Sequence, residues 1–490
     1  MSTTTTGLDA LAAALRAVIG ADRVITDRQE LRTYECDGLA QYKVIPALVA
    51  LPADAEQCAA VVRACVAAGT PFVARGSGTG LSGGALPRAD GVLVVTSQMR
   101  NIREIAPDDE RAVVQPGVIN LAVTRAATPH GYYYAPDPSS QQICSIGGNV
   151  AENSGGAHCL KYGFTTNHVL GVELVAPDGD RVRLGGRAPD APGYDLLGAF
   201  VGSEGTLGIA TEVTVRLTRL PESVRTLLAA FESTDEAGAA TSAIIAAGVV
   251  PAAVEMMDAL AIEAAEAAVH CGYPRGAGAV LIVELDGPEP EVAAQFTQVE
   301  SLCRDNRAFE IRIAADDAER ALFWKGRKSA FAAVGRISPD YIVQDGVIPR
   351  TALSEVLRRI GELSAERGIR VANVFHAGDG NLHPLVLFDA AVDGETLRAE
   401  EVSGAILDLC ITHGGSITGE HGVGMDKAKY MPRMFTDDDL DTMQLLRCAF
   451  DPDGLANPGK VFPTPRLCGE VPGRHKGVHP AQQAGLAEVF

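Results

Sequence analysis

The first half of the chain alternates short apolar runs with amphipathic segments, which predicts strands and helices in turn. A helix is predicted over residues 8–19 and another over residues 55–69. Strands are predicted at residues 47–51, 71–75, 92–96 and 112–115. A hairpin is predicted from 169 to 184, because the segments 169–176 and 181–184 flank the turn sequence Pro177-Asp-Gly-Asp180.

The second half shows a different order of elements after Pro221, which marks a domain boundary. Apolar strands at residues 227–231, 254–257 and 280–285 alternate with alanine-rich helices. This pattern favours an α+β domain in which an antiparallel sheet carries helices on one face. The length of 490 residues fits two or three domains, each with a substantial core.

The net charge of the chain limits the classes of partner that it can bind. A net charge of −20 and a pI of about 4.9 argue against a nucleic acid or an anionic membrane surface. An anionic substrate stays compatible, because an arginine and a metal can invert the field inside one cleft. The N-terminus has no basic segment followed by an apolar core, and no apolar run reaches about 18 residues. We therefore expect neither secretion nor a transmembrane segment.

The cysteines are scattered and form no CxxC motif. They lie at positions 36, 58, 65, 144, 159, 271, 303, 410, 448 and 468. This usage is typical of a reduced cytoplasmic protein, in which cysteine serves as a small apolar residue. We expect a cytoplasmic location, no disulfides and no iron–sulfur cluster on this chain.

A glycine-rich segment from Arg75 to Pro87 follows a predicted strand. Glycine lacks the Cβ atom that would stop backbone N–H groups from converging on an anion, so the segment indicates a pyrophosphate-binding loop. A Rossmann fold would need a helix directly after the glycines. Residues 81–87 contain two glycines and a proline and cannot form one. The predicted cradle is therefore built from a loop.

Two further segments, residues 145–163 and 201–209, are rich in glycine, asparagine and serine, and residues 134–140 lead into the first. Such a backbone can lie flat against a planar or extended ligand while polar side chains bond to it. Ordinary glycine-rich turns are the alternative. That alternative is weakened because all three segments lie within about 140 residues, each next to a predicted strand.

Three histidines and a carboxylate lie in two glycine-flanked loops near the end of the chain, His376-Ala-Gly-Asp-Gly-Asn-Leu-His383 and Gly419-Glu420-His421-Gly422. A lone buried histidine is more often a hydrogen-bonded core residue than a ligand. Together, however, His376, His383 and Glu420 form a His₂Glu set that can hold a divalent metal and leave one position open. His421, next to a ligand, stays free as a proton acceptor.

Arg327 belongs to the cationic sequence Trp324-Lys-Gly-Arg-Lys328. Its planar fork suits a substrate carboxylate. The alternative is that the sequence forms the solvated end of an amphipathic helix. Trp324 is the single tryptophan of the chain, and we expect it in the core or in a pocket wall rather than in catalysis.

These motifs together resemble a known group of flavoproteins. The three glycine-rich segments resemble the flavin-binding half of the vanillyl-alcohol-oxidase-type FAD enzymes. The segments around Arg327, His376 and Glu420 resemble the C-terminal half of the FAD-linked oxidases. The whole, from about residue 47 to residue 463, resembles the D-2-hydroxyacid dehydrogenases, which include the glycolate oxidase flavin subunit, D-lactate dehydrogenase and D-2-hydroxyglutarate dehydrogenase.

The resemblance implies roles for individual residues. His376, His383 and Glu420 would ligate a divalent metal, with zinc ahead of manganese or iron, His421 would be the base, and Arg327 would hold the substrate carboxylate. FAD would be bound without a covalent link, because Thr79 stands near the place where flavin-linked members carry histidine. Phe331 and Leu385 stand where the hydroxyglutarate enzymes use polar residues, which argues against a dicarboxylate substrate. The implied FAD-binding residues are Arg75, Gly76, Ser77, Gly78, Thr79, Gly80, Leu81, Pro136, Asp137, Ser139, Ser145, Gly148, Asn149, Ala151, Glu204, Gly205, Ile209 and Asn457.

The implied fold is α+β, with a two-part FAD-binding domain and an α+β substrate domain built on an antiparallel sheet. The predicted divisions are an N-terminal helical segment at 1–46, the FAD-binding domain at 47–222, the substrate and metal domain at 223–425, a return segment at 426–465 and a tail at 466–490.

The implied activity is oxidation of a D-2-hydroxy acid, of the glycolate or D-lactate type, to the 2-oxo acid. The alternative is a non-catalytic or non-redox flavin-binding subunit of a larger complex. The expected partners are the small 2-hydroxy acid and an electron acceptor, which could be a separate redox protein. The chain could also form a homodimer.

Overall fold

The computed structural model describes residues 5–188 and 193–463. Strands in this part of the chain are β1 Val24–Ile25, β2 Leu48–Ala50, β3 Phe72–Arg75, β4 Val92–Val95, β5 Ile102–Ala106, β6 Arg111–Val114, β7 Tyr132–Tyr133, β8 Val169–Val175, β9 Arg181–Gly185, β10 Ile209–Arg216, β11 Thr218–Arg219, β12 Ser223–Phe231, β13 Ala253–Asp258, β14 Ala279–Gly287, β15 Glu310–Ile313, β16 Asp340–Val343, β17 Gly346–Val347, β18 Val371–His376, β19 Asn381–Leu382 and β20 Pro384–Phe388.

The helices lie between these strands and after the last of them. They are α1 Thr5–Ile19, α2 Arg28–Leu31, α3 Ala55–Ala67, α4 Asn120–Ala127, α5 Ile146–Glu152, α6 Cys159–Tyr162, α7 Leu196–Phe200, α8 Thr234–Ala246, α9 Ala259–Val269, α10 Glu289–Asp305, α11 Asp317–Val334, α12 Leu353–Arg367, α13 Glu395–Thr412, α14 Met431–Met434 and α15 Asp437–Phe450. Short 3₁₀ turns lie at Ala21–Arg23, Arg32–Tyr34, Thr96–Gln98, Pro107–Asp109, Thr128–His130, Thr165–Asn167, Arg350–Ala352 and Ala428–Tyr430.

The first part of the chain folds around two sheets. One has the order β1-β2-β4-β3, in which β2, β4 and β3 run parallel. Every residue of β2 and β4 is buried, as expected for parallel strands covered on both faces. The other sheet is antiparallel, with the order β5-β6-β10-β8-β9. Pairing of β8 with β9 confirms the predicted hairpin.

The second part folds around a large antiparallel sheet with the order β15-β12-β14-β13-β18-β19-β17, and β20 pairs with β18 and β16. The strands predicted at 227–231, 254–257 and 280–285 all lie within it. The expectation of helices on one face is wrong. Core residues of α8, α10, α12 and α13 cover one face, and those of α9 and α11 cover the other. The reason lies in β14, whose first seven residues are all buried, so both of its faces need cover.

After α15 the chain returns to the first sheet. Phe72 of β3 forms a bridge with Ala456, and the Asn457 N–H donates to the Phe72 carbonyl at 2.8 Å. Both residues of this segment are fully buried. The return segment therefore packs directly behind the strand that leads into the glycine loop. The exact domain divisions stay a prediction.

Cysteines in the described residues are mostly single thiols. Positions 36, 58, 65, 144, 159, 271, 303 and 410 are free. Cys448 is disulfide-bonded, so the expectation of no disulfides is wrong at that position. Sequence spacing gave no sign of this bond, because pairing depends on which chain segments meet in the fold.

Candidate active site

A cavity opens in the first domain, between the loop after β3, helix α5 and the segment before β10. Its lining combines backbone and small side chains with a few polar groups, as in many cofactor sites. It lies where the three glycine-rich segments of the sequence come together.

The loop after β3 presents free backbone donors. No backbone N–H of residues 77–84 donates to another protein atom within the described residues. Residues 77–81 are exposed or partly buried, so their N–H groups are open to an acceptor that the protein itself does not provide. A pyrophosphate is such an acceptor. No helix follows the glycines, since residues 76–88 contain none, so the prediction that this segment is a loop is confirmed, and its role as a pyrophosphate cradle stays a prediction.

Most of the residues expected to bind FAD line this cavity. They are Arg75, Gly76, Ser77, Gly78, Thr79, Gly80, Leu81, Ser139, Ser145, Gly148, Asn149, Ala151, Glu204, Gly205 and Ile209. Further lining residues that sequence reasoning missed include Glu152 and Gly208. The fold thus brings three segments that are distant in sequence together in the wall of one cavity.

The segment after Ser145 is a helix rather than the flat loop that its asparagine and glycine content suggested. Ser145 caps α5, and its hydroxyl accepts the Gly148 N–H at 3.4 Å. Gly147 permits the close approach of this helix to the chain before it, because a Cβ atom there would lie 2.6 Å from Cβ of Pro116. The small residues of α5 therefore bring its backbone to the cavity wall.

The remaining three expected FAD residues, Pro136, Asp137 and Asn457, do not line the cavity. Asp137 instead bonds Nδ1 of His158 at 2.8 Å. Asn457 donates to the carbonyl oxygens of Gly84 at 2.9 Å and Glu204 at 2.6 Å. It therefore ties two cavity segments together from behind.

Two charged residues of the cavity wall already have protein partners. The Arg75 guanidinium donates to the carbonyl of Cys36 at 2.7 Å. Glu204 accepts the backbone N–H groups of Val423 at 2.6 Å and Gly424 at 2.7 Å. Burial raises the pKa of Glu204 to about 7. Glu204 thus connects the first domain to the loop that carries Glu420 and His421.

The three expected metal ligands meet in the second domain. His376 is the last residue of β18, His383 lies between β19 and β20, and Glu420 lies in the loop after α13. Oε1 of Glu420 lies 3.4 Å from Nε2 of His376 and 3.1 Å from Nε2 of His383. Ligand atoms of the three residues all lie within 4.8 Å of one another.

This cluster fits a divalent metal. Oε2 of Glu420 is buried without a hydrogen-bond partner in the described residues. An unpartnered buried carboxylate oxygen is costly, and a cation would satisfy it. Two imidazoles and one carboxylate are also a common donor set for zinc and related metals.

Glu255 of β13, which sequence reasoning missed, orients the first ligand. Its Oε1 lies 2.6 Å from Nδ1 of His376, which leaves Nε2 facing Glu420. Burial disfavours the charged imidazole, but Glu255 and Glu420 outweigh it and raise the pKa of His376. A carboxylate on the far nitrogen of a ligating histidine is the usual means of fixing its ring.

Arg327 lies on α11 and is buried, which excludes the solvated helix end. Its Nε lies 2.6 Å from Oε2 of Glu255, as an ion pair without the alignment of a hydrogen bond. The guanidinium carbon lies 5.8 Å from the ring centre of Phe331. Arg327 and His376 therefore share one carboxylate.

His421 lies beside the cluster. Its ring stacks on that of His383 with centroids 5.0 Å apart, and its Nε2 lies 3.9 Å from Oε1 of Glu420. Burial lowers the pKa of His421 to about 4, so the imidazole is neutral at neutral pH. Glu420 and His421 also line the cavity of the first domain. The cluster and the glycine loop thus face one space.

The chain was compared with known protein families and with known proteins. Residues 46–185 match the family described as FAD binding domain, and residues 220–461 match FAD linked oxidases, C-terminal domain. The glycolate oxidase subunit GlcD of Escherichia coli strain K12 is 52% identical over 462 residues, which cover 94% of this chain and 93% of that protein. The chain belongs to the FAD-linked oxidase family.

As a member of this family, the protein is an FAD-dependent oxidoreductase. A D-lactate dehydrogenase of Archaeoglobus fulgidus is 32% identical, with 84% of this chain and 91% of that protein covered. The solved structure of p-cresol methylhydroxylase with substrate bound aligns with a TM-score of 0.77 at 16% identity, covering 94% of this chain and 97% of the other. The α+β fold is that of the vanillyl-alcohol-oxidase-type flavoproteins, as the sequence predicted.

The structure also shows the surroundings of three other positions that were noted in the sequence, Trp324, Leu385 and Phe331. Trp324 is buried, and its indole N–H donates to Glu284 at 2.8 Å. Leu385 is fully buried in the core between β20 and α11 rather than in a pocket wall. Phe331 is half-buried, with its ring 5.9 Å from that of His383. Of the two positions that argued against a dicarboxylate, Phe331 is the one beside the metal cluster.

The important residues that sequence reasoning missed are Glu255 and Asp345, which is fully buried next to the cluster. Glu255 lies inside the mostly apolar strand Ala253–Asp258, and Asp345 lies between β16 and β17. Such a position is a signal in itself, because a charge is buried only when it is paired. The signal does not name the partner.

None of the helices in residues 5–188 and 193–463 is long and apolar enough to cross a membrane.

Proposed function

We propose that this FAD-dependent oxidoreductase oxidises a small D-2-hydroxy acid, of the glycolate or D-lactate type, to the corresponding 2-oxo acid. One observation carries the proposal: Glu420, which belongs to the cluster with His376 and His383, and His421 line the same cavity as the glycine loop. The names of the relatives, a glycolate oxidase subunit and a D-lactate dehydrogenase, support this substrate class.

The cofactor positions follow from the donors available. FAD would be held without a covalent link by the free N–H groups of residues 77–84 and by the wall from Ser145 to Ala151. A divalent metal, zinc first and manganese or iron next, would be held by His376, His383 and Glu420. When bound, FAD supplies the acceptor for the C2 hydride and the metal supplies a positive charge that lowers the pKa of a hydroxyl.

The side chains of the protein would then divide the remaining work. His421, neutral and beside Glu420, takes the hydroxyl proton onto its imidazole. Arg327 holds the substrate carboxylate, and Glu255 keeps the guanidinium in place through the ion pair at Nε. No described protein group is hydrogen-bonded to the two terminal nitrogens of Arg327, so they are available to a carboxylate.

Phe331 would limit the size and polarity of the substrate. Its ring lies between the guanidinium of Arg327, 5.8 Å away, and the ring of His383, 5.9 Å away. A second carboxylate at this place would lose its hydration against an apolar ring. This favours a short monocarboxylate over a dicarboxylate.

The electrons would leave to a separate acceptor. The proposal is supported by the name of the E. coli relative, which calls that protein a subunit. A separate redox protein would serve this role, and the chain could pair with a second copy as well. Neither partner changes the chemistry proposed for the cavity.

The first test is the visible spectrum of the purified protein, recorded without oxygen before and after adding glycolate, D-lactate or D-2-hydroxyglutarate. We expect a flavin band that glycolate or D-lactate bleaches, and that L-lactate does not bleach. A flavin band that none of these acids bleaches would contradict the proposed substrate class and favour an accessory flavin subunit.

The second test separates metal binding from proton transfer. Glu420→Gln should lose metal together with turnover, because it removes a ligand. His421→Ala should keep metal and FAD but lose turnover by about 100-fold or more. Equal loss of metal in both variants, measured by elemental analysis, would contradict this division of roles.

A further inference from the structure

The loop at residues 418–424 carries both Glu420 and His421 but belongs to no helix or strand. Its backbone N–H groups therefore lack the partners that regular structure provides. The positions of the Glu420 carboxylate and the His421 ring therefore depend on other contacts that replace those partners. Glu204 supplies these contacts at Val423 and Gly424, and Asp345 supplies them at residues 418–421.

The carboxylate of Asp345 accepts three consecutive backbone N–H groups. Its Oδ2 lies 2.9 Å from N of Gly419, 3.2 Å from N of Glu420 and 2.9 Å from N of His421. The Thr418 hydroxyl also donates to Oδ2, at 2.6 Å. Four successive residues of the loop are therefore tied to one side chain.

Asp345 itself is held rigidly. It is fully buried between β16 and β17, and the Gln344 N–H before it donates to the Pro384 carbonyl at 3.0 Å. After it, Val347 and Ser416 exchange two backbone hydrogen bonds, at 2.9 Å and 3.0 Å. The anchor is thus built into the sheet that also carries His376.

A second metal site is the other use that this geometry suggests, because Asp345, His383 and His421 could also surround an ion. The hydrogen bonds favour the use of Asp345 as an acceptor for the loop. Its Oδ2 accepts the loop donors and Lys427, which lies 3.3 Å away, and its Oδ1 accepts the Glu420 N–H at 3.2 Å. The Nδ1 atoms of His383 and His421 lie 3.8 Å and 4.0 Å from the carboxylate, so neither forms a hydrogen bond with it.

We propose that Asp345 is a positioning residue that sets the metal ligand Glu420 and the base His421 through their own backbone N–H groups. Its carboxylate also lies 4.0 Å from Nδ1 of His421, on the side of the ring opposite Glu420. The proposal rests on the function proposed above for the roles of Glu420 and His421. It makes Asp345 necessary for both metal affinity and turnover, although it touches neither metal nor substrate.

The test uses the full-length, FAD-loaded protein with Asp345→Asn. Asparagine keeps the shape but turns an amide N–H₂ or a single carbonyl toward donors that need a carboxylate. We expect zinc affinity, measured by competition with a chromogenic chelator, to fall by about 10- to 100-fold. At saturating zinc, kcat should still fall by about 10-fold or more, with the flavin spectrum and FAD content unchanged.

The matched control is Asp408→Asn, which removes an exposed carboxylate of α13 paired with Arg433. It should leave zinc affinity and kcat within twofold. Thr418→Val, which deletes one donor to Asp345 and keeps the carboxylate, is the milder variant should Asp345→Asn fail to fold. It should lower zinc affinity by a few-fold.

Two outcomes would overturn the proposal. One is a folded Asp345→Asn protein with unchanged zinc affinity and kcat. The other is a lower melting temperature with normal kcat at saturating zinc, which would show a merely structural role. Failure of the proposed function would give a different result. The flavin band of the wild-type protein would not be bleached by any hydroxy acid, whereas Asp345→Asn could still bind zinc more weakly than the wild type.

Discussion

The glycine-lined cavity and the cluster of His376, His383 and Glu420 lie side by side but are built from different kinds of groups. The cavity offers backbone N–H groups and small side chains from three segments, each contiguous in sequence. The cluster is made of buried charged side chains from strands and loops far apart in the chain, from Glu255 to His421. The cavity therefore depends on the path of the backbone, whereas the cluster depends on which charged side chains the fold brings into contact.

This difference predicts two kinds of sensitivity. Adding a single methyl group should damage the cavity, because the backbone must come close to its ligand and to its own neighbours. Removing a single charge should damage the cluster, because each buried charge there supports another. The comparison would be contradicted if an added methyl group at the cavity had no effect, or if removal of a charge from the cluster had none.

The largest effect should come from Gly208→Ala at the cavity. Gly208 has φ of +133°, and a Cβ atom would lie 2.6 Å from the Val175 carbonyl oxygen that borders it. Strain of about 1–3 kcal/mol would be relieved by displacing the segment before β10, which lowers FAD affinity by up to about 100-fold. The ratio of flavin absorbance to protein after gel filtration measures this loss.

The control is another glycine-to-alanine change, Gly361→Ala, in the exposed middle of α12. No atom lies within 4 Å of the added Cβ position. We expect unchanged FAD content and a stability gain of about 1 kcal/mol, because alanine favours helix. Equal FAD retention in both variants would show that the cavity tolerates displacement of its backbone.

The next effect should come from Glu255→Gln at the cluster. The change removes the charge that orients His376 and pairs with Arg327. We expect zinc affinity to fall by about 10- to 100-fold, with FAD content unchanged. The surface change Glu362→Gln, which breaks an exposed ion pair on α12, should alter neither. Loss of FAD in Glu255→Gln would mean that the two sites are not separate.

The same difference explains what could be predicted from the sequence. Glycine-rich loops are recognisable in a sequence, so many residues that line the cavity were predicted from the segments Arg75 to Leu81 and 201–209. His376, His383 and Glu420 were found because they lie in short motifs. Nothing adjacent in sequence links Glu255 to His376, 121 residues apart, and only the pairing of β13 with β18 brings them together.

Asp137 and Asn457 stay predicted FAD contacts, and in the structure they bond to His158 and to the backbone carbonyls of other segments. Polar residues near a motif can support the wall as well as line it, and sequence does not distinguish the two. Helices on both faces of the large sheet were missed because a fully buried strand has no alternation to reveal its second face.

A smaller effect is expected from Arg327→Lys. Lysine keeps the charge beside Glu255 but lacks the planar fork, so KM for the hydroxy acid should rise by about 10-fold. Zinc affinity should change by less than about threefold, since the carboxylate that orients His376 keeps a cationic neighbour. Steady-state kinetics and chelator competition on the same preparation measure the two quantities.

Arg320→Lys is the matched control on the same helix. Arg320 forms two bonds to Glu284, at 2.8 Å and 2.7 Å, away from the metal cluster. This change should lower stability without raising KM. If Arg327→Lys loses zinc as strongly as Glu255→Gln does, Arg327 serves the cluster alone and does not hold the substrate.

The smallest effect should come from Phe331→Thr, which changes the surroundings of Arg327 and His383 without removing a charge. Phe331 lies against both Arg327 and His383, so a hydroxyl there offers a polar partner to a second carboxylate. The ratio of kcat/KM for D-2-hydroxyglutarate to that for D-lactate should rise by about 3- to 10-fold, because single pocket contacts discriminate weakly. Phe309→Thr, at an exposed phenylalanine, should leave the ratio unchanged. A wild-type protein that already prefers D-2-hydroxyglutarate would show that this ring does not exclude a dicarboxylate.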